Sequence, residues 1–205
     1  MTGKVYPEGD AWIALASEYV SEFKDLDELE ERWRDFKELH PALSVFTESV
    51  KELMSATFCE LVDVYERYQN LPSETQEQKE ELATIKSYLP NMVFNYDKTG
   101  AGHQTHQGVI SGFFRKKMDD LNIHTCYYCD MAYINPYIVD DDEMKSQFDL
   151  DHALAKDDCP LVALSLHNFV PSCPVCNERL KRKNPLSDTL DGLKLVAPCS
   201  EDFDA

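Results

Sequence analysis

An α+β fold is what the 205-residue sequence predicts: an acidic helical first half, then a small unit of two short strands and a helix. Three observations predict it. Apolar residues recur at intervals of three and four through much of the stretch from residue 10 to residue 89, the spacing of amphipathic helices. After residue 121 the texture changes to short runs of aromatic and β-branched residues, the composition of strands. Two Cys-x-x-Cys pairs, Cys126/Cys129 and Cys173/Cys176, bracket those runs. A unit of that size has too little core to be stable unaided, so the cysteines are expected to supply what the core does not.

In chain order, residues 10–39 start at Asp10, a reasonable N-cap, and carry Trp12, Ile13, Ala16, Tyr19, Val20 and Phe23 at helical spacing before the charged run DLDELEERWRDFKEL and Pro41. One long helix or two is expected there. The strongest amphipathic pattern lies in 43–69, with Phe46, Val50, Leu53, Met54, Phe58, Leu61, Val62, Tyr65 and Tyr68, and predicts a core helix. A polar SETQEQKEE separates it from a shorter helix, Leu82 to Leu89, which Pro90 should stop. The stretch YDKTGAGHQTHQG at 96–108, with Gly100, Gly102 and Gly108, is the candidate linker. This divides the chain into an acidic helical region, 1–102, and a second module, 103–205, whose core spans 126–183. A helix from Val109 to Leu121 opens the second module. An extended segment should follow from Met131 to Ile138, then an acidic loop at 140–143, a strand ending at Phe148 to Asp151, a second strand from Val162 to Val170 and a helix beginning at Asn177.

The formal net charge is -18, an awkward balance for a nucleic-acid binder, because such affinity comes largely from Lys and Arg neutralising phosphates. Its distribution is uneven. Residues 1–102 hold ten basic against twenty-one acidic residues, net -11; residues 103–185 hold nine against twelve, net -3; and residues 186–205 one against five, net -4. The bases of the second module cluster as Arg115, Lys116, Lys117 and as Arg179, Lys181, Arg182, Lys183, either as solvated helix faces or as phosphate contacts. The opening MTGKVYPEGDAW lacks the cationic start and apolar run of a secretory signal, and no stretch approaches the roughly 18 apolar residues of a membrane span. A cytoplasmic protein without membrane association is expected.

Seven cysteines without an export signal, an odd number with four of them in two Cys-x-x-Cys pairs, point to metal rather than disulfides. A two-residue gap lets both thiolates of a pair face one ion, and two pairs complete the tetrahedral four-cysteine shell of structural Zn²⁺. Cys59 lies beside an apolar stripe and reads as core; Cys159 and Cys199 lie in polar surroundings without evident partners. Between the pairs lie Asp151-His152 and Asn168, and Asn177 follows the last cysteine. His40, His103, His106 and His124 read as surface or linker histidines. His167 adjoins Asn168 and would face the opposite side of a regular strand.

The sequence resembles the HNH endonuclease family in its four-cysteine zinc form, through CYYC at 126–129, LDH at 150–152, LHNFVPSCPVCN at 166–177 and the lysines that follow. Asn168 stands sixteen positions after His152 and Asn177 nine beyond that. The resemblance implies a ββα-metal module gripping one divalent ion. It makes His152 the general base toward water, Asp151 a metal ligand, and Asn177 the second ligand or else a helix cap, since many members place His there. Asn168 would hold the His152 loop by hydrogen bonds. Two oxygen donors and an open shell suit Mg²⁺ or Mn²⁺, and Lys156, Arg179, Lys181, Arg182 and Lys183 would be the nucleic-acid contacts.

The longer stretch FDLDHALAKDDCPLVALSLHNFVPSCPVCN is similar to the HNH partners of ATPases in bacterial anti-phage systems of the Septu type and their retron-associated relatives. It departs from them at Ala153 and Ala155, where an aromatic residue and a proline are common, and the ending VAPCSEDFDA resembles an internal stretch of longer members. That resemblance implies an ABC-type or AAA-type ATPase partner, DNA as substrate, and an acidic helical half that docks the partner and brakes indiscriminate DNA binding. The competing expectations are a stand-alone restriction or homing-type HNH nuclease, which would need a basic DNA-reading surface of its own, and a non-catalytic zinc-ribbon interaction module.

Overall fold

The computed structural model describes residues 10–97, 105–139, 144–182 and 184–202. Gly100, Gly102 and His103 of the expected linker, the acidic loop at 140–143 and Lys183 lie outside these, as do the side chains of Asp10 and Trp12. The fold mixes helices with two small antiparallel sheets. Among the described residues no helix is long and apolar enough to cross a membrane.

The first stretch forms two helices, α1 (Asp10–Ser21) and α2 (Leu26–Leu39). Asp25, just before α2, turns its carboxylate to His106 and Arg32 instead of capping the helix through its side chain. The single core helix expected over 43–69 is instead three pieces: a 3₁₀ turn at Pro41–Val45, α3 (Val50–Ser55) and α4 (Phe58–Gln69). The reason is local. Ser49 with Glu52, and Thr57 with Glu60, each form a capping box, the hydroxyl accepting from the amide three residues on while the carboxylate accepts from the cap's own amide. A third box, Thr75 with Gln78, starts α5 (Gln76–Tyr88) inside the polar run read as a connection. Pro90 does not stop the chain's winding either. It sits early in a π-helical turn, Leu89–Val93, where a missing N–H costs least. Thr105 caps α6 (His106–Lys117).

The two sheets follow. Strands β1 (Pro136–Ile138) and β2 (Met144–Ser146) pair antiparallel, and β3 (Asp149–His152) pairs with β4 (Phe169–Ser172) with His152 opposite Phe169. The second strand expected over Val162–Val170 shrinks to β4. The chain before it makes 3₁₀ turns at Pro160–Val162 and Leu166–Asn168. Every residue from Cys159 to Cys173 is buried, so this segment must satisfy its backbone internally, and tight turns do that where, among the described residues, no further strand pairs with it. A π-helical turn, Val175–Lys181, and α7 (Leu190–Val196) complete the order.

One apolar core runs through both halves. Tyr19 of α1 packs edge-on against Phe113 of α6, 5.2 Å between ring centres, and its hydroxyl donates to the Leu164 carbonyl at 2.7 Å. Ser165 donates to the Leu53 carbonyl of α3 at 2.7 Å, and Phe114 meets Phe169 of β4 at 6.0 Å. The buried segment that precedes β4 is therefore held from behind by the helices, which fixes the strand carrying the site.

Candidate functional site

Cys126 and Cys129 lie on a tight knuckle. The Cys126 amide donates to the Ala132 carbonyl, the Asp130 amide donates back to the Cys126 carbonyl, and Asp130 takes the left-handed conformation at φ 52°. Asp tolerates that conformation better than most residues, and here its carboxylate accepts from the Thr125 hydroxyl at 2.6 Å. The Met131 amide, then that of Ala132, points at the Cys129 sulfur and lowers its pKa to about 7. Cys173 follows β4 and Cys176 lies in the next helical turn. The four sulfurs all lie within 4.8 Å of one another, and tetrahedral Zn–S bonds of about 2.3 Å would set them roughly 3.8 Å apart. This donor set fits structural zinc.

His152 ends β3. Its ring stacks obliquely on Phe169 and Tyr96, at 4.8 and 5.6 Å between centres, and Nε2 lies 3.2 Å from the Ala163 carbonyl. A carbonyl only accepts, so Nε2 carries the hydrogen and Nδ1 keeps its lone pair. Burial pushes this imidazole down to about 3, and the cations of Lys156 and Lys181 push the same way against the Ala163 hydrogen bond. Asn168 is fully buried and spans the loop after His152. Its Oδ1 accepts from the Leu154 amide at 2.7 Å, while Nδ2 donates to the carbonyls of Leu154 and Val162, both at 3.0 Å.

Asp151 is almost buried and has two partners on one oxygen. The Tyr128 hydroxyl donates to Oδ2, and the Lys181 ammonium lies 2.8 Å from it. Burial and then the Asp151 charge push the Tyr128 phenol far above its usual range, so it stays a donor. Asn177 turns elsewhere. Its Nδ2 donates to Asp149 at 3.4 Å, beside a separate cavity of about 240 Å³. Asp149 and Asp151 share one face of β3, so the helical turn lies along that face as two rungs, Asn177 on Asp149 and Lys181 on Asp151. Asp151 and Asn177 thus have different side-chain partners, and each lines a different cavity.

Asp151, His152, Lys156, Lys181 and Arg182 line a cavity of about 860 Å³. Lys156 reaches 5.0 Å above the Tyr96 ring. Arg179 is exposed, its carbonyl accepting from Arg182 Nε at 3.2 Å, and does not line this cavity. The cluster Arg115-Lys116-Lys117 is spent within the chain: Lys116 on Glu22, Lys117 on Glu18 and Arg115 on the Ser146 hydroxyl.

Other residues depart from their sequence reading. His106 is no surface residue but 2% exposed, its ring between the Phe94 carbonyl and the Asp25 carboxylate, the latter at 2.9 Å. His167 lies in a 3₁₀ turn rather than a strand, and burial holds its pKa down at about 3. Cys159 and Cys199 are buried in the core, not in polar loops, whereas Cys59 is half-exposed beside Ser200 and Asp202. Tyr128, Asp149 and the Ala163 carbonyl had no place in the sequence reading of the site. Tyr128 was discoverable, since closing the two cysteine pairs carries it toward the strand between them. Comparison with protein-family models, curated proteins and solved structures finds no match for this chain.

Proposed function

We propose that the chain is an endonuclease of the HNH type that hydrolyses phosphodiester bonds in DNA, with His152 as general base. The observation that carries the reading is that His152 lines a cavity shared with Lys156, Lys181 and Arg182. With Nε2–H committed to the Ala163 carbonyl, Nδ1 is the atom that takes a proton from water. The cationic side chains give a phosphate group a reason to enter the cavity, and they read backbone rather than bases. Asn168 holds the loop after His152 and Phe169 packs against its ring, so the base needs little reorganisation. A bare zinc ribbon would have no use for a histidine held in this way. Plasmid cleavage by the full chain in Mn²⁺ or Mg²⁺ tests the reading. His152→Ala should slow nicking by roughly 10²- to 10⁴-fold with zinc content unchanged; equal rates for the two proteins would leave a binding module.

The same reading assigns the helical half to an ATPase partner of an anti-phage complex. Residues 1–102, net -11, would repel DNA but suit a basic protein face. Co-elution with an ABC-type or AAA-type ATPase from the same genomic neighbourhood is the expected result in size-exclusion chromatography; finding no such ATPase, or clean separation at low salt, would reject the partnership.

A further inference from the structure

We infer that Lys181 is a built-in cation on the Asp151 carboxylate, one that bars a divalent ion from that carboxylate until the lysine side chain swings away. The choice of ion rests on the hydrolase reading; the latch does not. Its basis is the occupancy of a single oxygen. Asp151 Oδ2 takes the Tyr128 hydroxyl and the Lys181 ammonium together, and the two charged side chains are only 9% and 12% exposed. The ammonium also donates to the His152 carbonyl at 3.3 Å. A divalent ion of the Mg²⁺ or Mn²⁺ kind binds a carboxylate oxygen at about 2.0–2.1 Å. On Asp151 it would sit within a few ångströms of the ammonium, where water is scarce and like charges repel strongly.

The latch is set by how the chain is wound. The turn Val175–Lys181 closes with the Arg182 amide on the Asn177 carbonyl at 2.8 Å, a bond spanning five residues, and Arg182 ends it at φ 52°. That winding puts Lys181 inward on Asp151, while Arg179 and Arg182 are exposed. It also lays the Asn177 amide nitrogen on Asp149 rather than on Asp151. π-helical turns of this kind are frequent at functional sites because one register step re-aims every side chain beyond them. Leaving Asp151, the lysine would extend into the cavity it already lines with Lys156 and Arg182, where an entering phosphate is the anion to hold it.

The test is Mn²⁺ binding to the zinc-loaded full chain without nucleic acid, by calorimetry and by the paramagnetic resonance signal of free Mn²⁺. Lys181→Met should bind Mn²⁺ roughly 5- to 150-fold more tightly than wild type, the range of ordinary coupling between two sites. Lys181→Arg should stay weak, and adding Asp151→Asn to Lys181→Met should abolish the gain. Should Lys181→Met lose its zinc or its circular dichroism, Lys181→Gln, which keeps a donor for the His152 carbonyl, takes its place. Unchanged Mn²⁺ affinity without the ammonium overturns the latch, as does a gain that survives Asp151→Asn. A protein inactive on DNA that still gains Mn²⁺ on losing Lys181 sinks the hydrolase reading and keeps the latch; an active one with unchanged affinity does the reverse.

Discussion

Asn168→Ala is expected to destabilise the fold by about 2–6 kcal/mol, since each buried polar group stripped of its partner costs about 1–3 kcal/mol. Two groups would be stripped outright and a third left with one long bond. The Leu154 amide and carbonyl end on this one amide side chain, which has no exposed surface, and the Val162 carbonyl would keep only the Ser165 amide at 3.4 Å. Water cannot replace it without opening the segment from Cys159 to Cys173, where every residue is buried. Asn168→Asp is the sharper variant. It keeps the acceptor for the Leu154 amide but turns a carboxylate oxygen toward two carbonyls, so it should be no better than alanine. Urea unfolding reads both as a lower midpoint with an unchanged slope. A loss below 1 kcal/mol for alanine would show that the loop after His152 is held by packing alone.

The place of Asn168 in the chain was legible, since its distance from His152 is a feature of the sequence, but the three bonds it makes were not. They depend on the 3₁₀ turns of Pro160–Val162 and Leu166–Asn168, which bring the Val162 carbonyl back to it. No alternation of apolar and polar residues betrays those turns, because a segment buried on all sides looks the same as strand, turn or helix. The helix breaks were written plainly in Ser49-x-x-Glu52 and Thr57-x-x-Glu60, yet apolar periodicity reads straight through them. The cysteine cluster was legible for the opposite reason. Its spacing is itself the constraint, and 43 intervening residues bring the second pair back to the first. Lys181 on Asp151 was hidden. The two are thirty positions apart, and which side of the last turn faces the strand is decided by one extra residue in its winding. His106 was misread because its polar, glycine-rich neighbours resemble a linker, while its partner Asp25 belongs to the far end of the chain's first half.

Removing the cysteine cluster should have the largest effect of any single change. Structural zinc contributes about 10–16 kcal/mol in small zinc peptides, as much as or more than the roughly 5–15 kcal/mol that holds a whole domain folded. Cys173→Ser, or a strong chelator, is therefore expected to remove one zinc per chain and to unfold the strands that carry Asp151 and His152. The damage should not stop there. Tyr19 donates to the Leu164 carbonyl and Ser165 to the Leu53 carbonyl, so the buried segment ahead of Cys173 is also the floor of the helical core. Thermal unfolding should show one cooperative transition in the zinc-loaded chain, and near-ultraviolet dichroism from both halves should be lost together in Cys173→Ser. Cys59→Ser is the control: its sulfur is half-exposed beside Ser200 and Asp202, away from the cluster, and zinc content should not change. Zinc retained by Cys173→Ser, with its melting temperature intact, would mean that the four sulfurs are core packing and no more. A chain that loses zinc but keeps the helical transition would place the boundary between independent folding units at the cysteine module, despite the shared core.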